Sequence, residues 1–588
     1  MNLNSNAKML TKLMFRLLPV QILLAAVGAV NGIVSSYFAS NYVGVVAMSA
    51  VGLYSPINML FTALYTMLQG GSAILCGKYI GQNRQEKVQN VFSLNLTLSL
   101  LMGGLFAALF VVFGLFDLTG FLTNDEAVRL VFNRYLLGQA IGIIPFVVGN
   151  QLPAFLAIEN KNGRTLTASL VYIAVNVILN FLFVQVLHME AFGLALASSL
   201  GMWAFFGVEA QYFLSGRSHL RMRPTSAWGD LGPVLRVGYP GALSYGYQTL
   251  RGLIVNWLIT LAVGSVGVSA FATADNVLRI FWAIPTGMLA VSRLFMSVSI
   301  GEEDRQSLAD VMRVMLKRFV PLMCAVCAGI ILCAVPLTRI FFRDPAEPVY
   351  GMTTWGLRIL PLCMPLSIIY MHFVCYGQAS GKQWYVHILS LLDGVVCVAG
   401  FTALLIRAVG MNSVYIANVL NGVVTTLVII GYAWLRKKHF PRNMEELMVI
   451  PDDFGAPESE RMDLSVKSMG EVVSIAEQVQ HFCLAHGIDS RRAYLSGLAM
   501  EEMAGNIVDH GFTKDGKQHS IDVRVVHKDD DVILRIRDDC VPFDPGERQQ
   551  LVEGEEITKN IGIRLVFNIA RDVNYQNILG LNVLTIKI

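Results

Sequence analysis

The chain has 588 residues, 54% of them hydrophobic and only 15% charged, with a net charge of +3. Soluble proteins carry nearer a quarter charged residues, so an ordinary water-soluble globule is excluded over most of the length, and a bilayer is implied. The basic residues cluster in particular loops, so the net charge carries no sign of a nucleic-acid partner and none is expected.

The average conceals a division. From Met1 to about Leu435 long apolar runs alternate with short polar ones, whereas from about Pro451 to Ile588 charged residues are frequent. No cleavable signal peptide is evident, and Phe15 to Phe38 reads as a first membrane helix because further spans follow it. About twelve stretches can cross a hydrocarbon core of ~30 Å. They lie near 14–38, 51–80, 91–115, 132–159, 166–187, 191–214, 236–262, 270–299, 316–338, 354–379, 385–407 and 411–435. Helices are expected throughout, since backbone groups in lipid must pair within their own segment.

Basic residues mark one set of loops: Lys78, Arg84 and Lys87; Lys161 and Arg164; Arg217, Arg221 and Arg223; Arg305, Arg313 and Lys317; Lys382; and Arg436, Lys437 and Lys438. The other loops are poorer, Arg339, Arg343 and Arg358 excepted. The positive-inside rule then predicts cytoplasmic termini in a cell membrane. The nine cysteines show no disulfide pattern. Cys324 and Cys327 form a CxxC within an apolar helix, with no second pair, and read as packing residues.

The two halves match each other. VGVVAMSA at 43–50 reads against VGSVGVSA at 263–270; Ile80-Gly81 against Ile300-Gly301; Pro145 against Pro365. Six spans in each half predict parallel repeats about an axis along the membrane normal, with a substrate cleft between the lobes. The predicted N-lobe is 1–220, the C-lobe 221–438, the linker 439–460 and the soluble domain 461–588.

This body resembles the multidrug and toxic compound extrusion (MATE) family. The likeness is carried by the Pro19 entry, the Gly44–Gly52 segment, the GKYIGQNRQEKV loop, NVILNFLFV at 176–184 and AFGLALASS at 191–199. It implies a membrane transporter, in contact with lipid, that exports organic and often cationic small molecules in exchange for Na+ or H+.

Such exchange needs an intramembrane carboxylate, which is costly to hold there and is a functional suspect by default. First spans of the family usually carry an Asp; here Ser35 stands at the aligned position, with Asn31 one turn earlier, and the seventh span has no acid around Arg251 to Leu261. The candidates are Asp393, amid HILSLLDGVVCV, and Asp275. Glu209 and Glu159 read as interfacial, and His372 as a hydrogen-bonding helical residue.

After the RKK stop, PRNMEELMVIPDDFGAPESE reads as a linker. Beyond it, helical patterns at 470–486, 490–511 and 560–572 alternate with period-2 strands at 519–527, 531–538 and 581–588, predicting a two-layer α/β sandwich. In LSGLAMEEMAGNIVDHGF the spacing of Leu495, Leu498, Glu502 and Asn506 puts a carboxylate and an amide on the face that should be buried. Burying two such groups without partners is expensive. They suit a magnesium–phosphate site, with Asn506 on Mg2+ and Glu502 as base or water-positioner. In DVILRIRDD, Asp538 ends an apolar parity, placed to accept from an adenine amino group. KNIGIRLVFNIA puts Asn560 and Gly562 at a helix start, where free N–H groups cradle phosphate.

These blocks resemble the GHKL ATPase superfamily, and EEMAGNIVDHG, RDDCVPFDP and NIGIRLV resemble anti-sigma-factor serine kinases in particular. The resemblance assigns Glu502 and Asn506 to the family's N box, Asp538 to adenine, Gly562 to its second glycine box and Thr585 to the threonine near adenine. Cys540 and Asn560 stand where the family usually has glycine. ATP with Mg2+ is the implied ligand, and a cytoplasmic protein is the partner that a kinase-like domain implies.

The expectation is therefore an ion-coupled efflux antiporter with an ATP-binding regulatory or kinase-like domain. The alternatives are a membrane-anchored serine kinase or ATPase sensor built on a transporter-like body, or a lipid or polysaccharide flippase. No GxxxxGK[ST] loop supports a primary pump.

Overall fold

The computed structural model describes residues 5–38, 42–43, 45–121, 125–225, 227–512, 519, 521–528, 531–546, 561–578 and 580–588. Twelve long helices make the membrane body. In the N-half they are α1 (Ser5–Phe38), α2 (Val45–Gly81), α3 (Gln85–Leu115), α4 (Glu126–Ile158), α5 (Asn162–Val186) and α6 (Glu190–Leu214). In the C-half they are α7 (Leu231–Ala262), α8 (Ser265–Gly301), α9 (Arg305–Leu332), α10 (Pro348–Ala379), α11 (Gln383–Val409) and α12 (Asn412–Lys437). Eleven of them are both long and apolar enough to cross a membrane. The twelfth, α7, is 32 residues long, but Arg236, Gln248, Arg251 and Asn256 dilute its apolar content. Their large apolar side chains, such as Leu105, Ile178, Leu253 and Leu404, stay exposed, as a lipid-facing surface requires.

Within the N-half α4 packs on α3 and α6, and α6 on α5; within the C-half α8 packs on α10, and α11 on α12. The halves meet along α1–α8, α2–α7 and α2–α8. Glycines make that seam possible. A Cβ at Gly71 would collide with the Val234 carbonyl, and one at Gly238 with the Met67 carbonyl. At the helix ends a Cβ on Gly301 would collide with the Lys78 carbonyl, and one on Gly81 would lie 2.6 Å from the Glu302 amide. The two halves thus touch backbone to backbone at the end that bears the soluble domain.

The segment 439–460 is fastened to the body. Its Glu445 takes Arg305 at 2.5 Å, Lys382 donates to the carbonyls of Met448 (3.0 Å) and Val449 (2.7 Å), and Met448 and Ile450 join the membrane body's buried core. Burial, with Arg436 and Lys437 nearby, lowers the Lys382 ammonium to about 8.

The soluble domain is the expected two-layer sandwich. Strands β1 (Arg461–Val466), β2 (Ile521–Lys528), β3 (Asp531–Asp538), β4 (Asp572–Ile578) and β5 (Leu581–Lys587) form one antiparallel sheet in the order β1-β2-β3-β5-β4. Helices α13 (Met469–Ala485), α14 (Ser490–Gly511) and α15 (Ile561–Ile569) cover one face. Val479, Met500, Val523, Leu534, Ile536, Val566 and Ile586 form the core between the layers. Strands β1 and β4 are additions to the sequence expectation; both are edge strands, and β4 (DVNYQNI) is too polar to display an apolar period.

Candidate functional site

In the membrane body, Asp393 lies within a π-helical turn, Leu392–Val396, of α11. Such turns are rare and gather at functional sites. Its carboxylate accepts from Asn421 Nδ2 of α12 at 2.8 Å and from the Tyr370 hydroxyl of α10. Arg251 Nη1 of α7 donates to the Asp393 carbonyl oxygen at 3.3 Å. Four helices of the C-half therefore converge on one polar cluster. Asp275 stands apart: it pairs with Arg279, one turn along α8, at 3.1 Å, with side chains 42% and 61% exposed.

Glu209 is fully buried, beside Thr165, and no cationic side chain lies within ion-pair distance among the described residues. The interfacial reading of Glu209 did not include this burial, which arises because α5 and α6 pack closely enough to enclose it. His372 is held by the Ile368 carbonyl at 2.7 Å and Ser292 Oγ at 2.8 Å, the packing role expected of it. The side chains of Asn31 and Ser35 lie outside the described residues.

In the soluble domain, α14 carries Glu502 and Asn506, both half-buried, and lies across β3 and against α15. A Cβ at position 562 would overlap the Glu502 carboxylate as it stands, so a side chain there would displace that carboxylate from the start of α15. Glu502 and Gly562, predicted separately, are brought together. Asn560 lies outside the described residues.

Asp538 closes β3 on the helix-covered face. Its Oδ1 accepts from Asn582 Nδ2 at 2.7 Å and from the Cys540 amide at 2.9 Å. Asn582 Oδ1 accepts in turn from the Tyr575 hydroxyl and Asn577 Nδ2, each at 2.8 Å, which fixes the amide's orientation. Burial pushes the Asp538 carboxyl above its usual value, against the pull of Asn582 and Cys540.

Thr585 requires correction. In the β3–β5 register Asp538 faces Asn582, Ile536 faces Leu584, and Arg535 faces Thr585. Leu584 and Ile536 point into the core, so strand alternation puts Thr585 on the opposite side of the sheet from Asp538. Asn582 is the β5 residue at the pocket. Its signal was the parity of Leu584 and Ile586, both apolar and both in phase with 582.

The next two residues follow Asp538 at the same end of the sheet. Cys540 is buried against Gly511, and Asp539 sits between His519 Nδ1 at 2.8 Å and Lys12 Nζ of α1 at 2.6 Å. The His519, Asp539 and Cys540 ligand atoms lie within 4.8 Å of one another, but the carboxylate already serves two cationic or donor partners.

Comparison with known families decides the body. The MatE model matches twice, over residues 22–182 and 240–400, which together make more than half of the chain. The chain belongs to the MatE family. The doubled match is the internal repeat itself. A histidine kinase-like ATPase domain matches residues 466–588. Among solved structures, a MATE transporter in complex with MaL6 is similar with 23% identity and a TM-score of 0.67, covering 76% of this chain and 99% of that one. An outward-facing MATE transporter of the MOP superfamily gives 22% and 0.67, and a MOP superfamily transporter from Pyrococcus furiosus gives 22% and 0.66, both with the same coverage. At this identity they show the fold. Comparison with curated proteins gives no match.

The uncovered face of the sheet is the feature that sequence reasoning missed. Arg524 of β2 and Arg535 and Arg537 of β3 point from it into the α8–α9 loop of the MatE body. Arg537 Nη2 meets Glu302 at 2.6 Å and Asp304 at 2.7 Å; Arg524 pairs with Asp304; Arg535 lies 3.4 Å from Asp304. Asp304 also caps α9 through the Ser307 amide at 2.9 Å, and Ser307 Oγ accepts from Arg537 at 2.6 Å. All five charged side chains are largely buried, Asp304 completely. Burial alone would raise the Asp304 carboxyl; the guanidiniums of Arg524, Arg537 and Arg535 overcome it and hold it well below the usual range.

Proposed function

We propose that this protein is an ion-coupled exporter of organic, often cationic, small molecules, with its ATP-binding domain on the cytoplasmic side as a regulator. The family and fold supply the transporter. The observation that carries the ion coupling is the Asp393 cluster: an intramembrane carboxylate at a π turn, with donors from two neighbouring helices and a guanidinium on a third. A carboxylate of this kind holds a proton, a sodium ion or a cationic substrate in turn, and Arg251 competes for it between turns. Buried Glu209 is a second acid for the same purpose in the N-half. Alternating access follows from two similar halves that meet on a glycine seam at one end.

The residues of the soluble domain fit a nucleotide. Asp538 is a buried, oriented carboxylate for an adenine amino group, Gly562 admits the Glu502 carboxylate against the start of α15, and Glu502 and Asn506 supply a carboxylate and an amide for Mg2+ and phosphate. Bound ATP with Mg2+ would supply a transferable phosphoryl group. Of the chain's own residues, Glu502 would orient or deprotonate the acceptor and Asn506 would hold the metal.

The reading is tested by uptake of a cationic dye into proteoliposomes under imposed sodium or proton gradients, with and without ATP on the domain's side. Gradient-driven uptake is expected without ATP, and Asp393→Asn should lower it by about tenfold or more, as removal of a coupling acid does. The second reading, a membrane-anchored kinase or ATPase sensor, is favoured by Arg251, whose fixed positive charge already stands near Asp393 and bonds its backbone carbonyl. It would be established by ATP turnover with no uptake under either gradient.

A further inference from the structure

Arg537 and Asp538, which end β3, and Asp539, which follows it, face three different ways. Arg537 holds Glu302 and Asp304 of the C-half, Asp538 belongs to the pocket, and Asp539 takes Lys12 of the N-half. On the edge strand β4, Gln576 Nε2 donates to Asn83 Oδ1 in the α2–α3 loop, again in the N-half, at 2.8 Å. Leu581 and Val583 of β5 are buried with the membrane body's core. The soluble domain therefore grips both halves, at the end where Gly81 and Gly301 bring them into contact.

Opening that end requires the Gly81–Gly301 contact to part. The sheet cannot then keep both sets of partners. The two grips are unequal. Release from the C-half would break a buried network of close charge pairs joining Glu302 and Asp304 to three arginines, and close pairs of this kind couple strongly across an interface. Among the described residues the polar hold on the N-half is Lys12, whose side chain is 60% exposed, and one amide hydrogen bond. The weaker grip gives way first.

We propose that the ATP-binding domain is a clamp: anchored on the α8–α9 loop of the C-half, it holds the N-half against it through Lys12 and Asn83, and pocket occupancy sets the hold. The coupling runs through residues 537–539, since whatever engages Asp538 acts on the strand end that carries both grips. Cys540, which donates to Asp538 and lies against the end of α14, ties the same strand end to the helix bearing Glu502 and Asn506. The inference deepens the alternating-access reading, but its test reads a distance and not transport, so the two fail separately.

The experiment uses the full-length protein in lipid nanodiscs, with exposed Cys324 and Cys333 replaced by alanine. Spin labels go at Leu214→Cys and Trp384→Cys, exposed ends of α6 and α11 in opposite halves. Wild type should give one short distance. Lys12→Glu and Arg537→Glu should each raise the ratio of long to short distances by about threefold or more, and Glu302→Arg should restore the Arg537→Glu distribution. ATP with Mg2+ should shift the wild-type ratio by a comparable factor. Unchanged distances in Lys12→Glu and Arg537→Glu, in protein that still binds a fluorescent ATP analogue, would overturn the clamp. A wild-type ratio insensitive to saturating ATP would overturn its control by the pocket.

Discussion

The loops after α2 and α8 occupy equivalent places in the two halves and begin alike, with Ile80-Gly81 and Ile300-Gly301. Both glycines do the same steric work, each letting its helix end approach the backbone of the other half. There the likeness stops. The first loop continues Gln82-Asn83-Arg84 and, among the described residues, hydrogen-bonds the soluble domain through Gln576. The second continues Glu302-Glu303-Asp304-Arg305 and places two buried carboxylates against three arginines. An internal duplication stays symmetrical where the halves must close on each other, and becomes asymmetric where one fused domain has to choose which half to ride on.

The largest effect should come from reversing the acidic loop. Removing one partner of a buried ion pair costs about 3–5 kcal/mol, roughly a hundredfold or more in a docking constant. Glu302→Lys should therefore release the domain, read as a matching rise in protease cleavage within residues 439–460. Cleavage no faster than in wild type would mean that the arginines contribute little to docking.

Next in size is the pocket on the other face of the same sheet. Asp538→Asn removes a charged acceptor, worth about 1.5–3 kcal/mol per hydrogen bond, so affinity for a fluorescent ATP analogue should fall about ten- to a hundredfold. Asn582→Ala should weaken it less, about tenfold, because Asp538 keeps the Cys540 amide. Thr585→Val, on the opposite face, should leave affinity unaltered. A large loss from Thr585→Val would mean that the strand phase is different in the nucleotide-bound domain.

How much of this was readable in advance depends on which physics wrote it. Spans, repeat and body came from hydropathy and self-similarity, which bilayer thickness enforces directly. Glu502, Asn506 and Asp538 were singled out because polar groups at apolar phase are costly; in the structure the buried stripe of α14 runs through Met500, Met503 and Ala504, and Glu502 and Asn506 lie half-buried beside it. Thr585 went wrong because chemical type was followed where strand phase should have ruled; Leu584 and Ile586 already set the inward parity that selects Asn582. The docking arginines gave no warning. Arg524, Arg535 and Arg537 alternate with Val523, Leu534 and Ile536 as solvent-facing residues of any half-buried sheet would, and only the tertiary partner turns that pattern into an interface. Glu209 was hidden for the same reason: burial near a helix end depends on neighbours, not on position along the span.

Acid should separate the two faces. Asp538 has a raised carboxyl, so its ionised form, the one that accepts from an adenine amino group, is lost as pH falls through a value above the roughly 3.9 of free Asp. Asp304 has a lowered one; its contribution to docking is complete above that ordinary value and disappears only as pH falls through the depressed value of the docked state. On acidification nucleotide affinity should therefore decline while the domain remains docked. Parallel titrations of ATP-analogue binding and of linker protease resistance would check the order; simultaneous loss would mean that one global transition governs both.

The smallest effect belongs to the neutral loop. Gln576→Ala removes a single neutral hydrogen bond to Asn83, worth about 0.5–1.5 kcal/mol. Linker protection should change by roughly tenfold at most, far short of Glu302→Lys. The ratio between the two variants is the quantity that matters, because it measures the asymmetry itself. If Gln576→Ala frees the domain as fully as Glu302→Lys does, the grip is shared between the halves, and the N-half contact cannot be the one that yields first when the glycine seam opens.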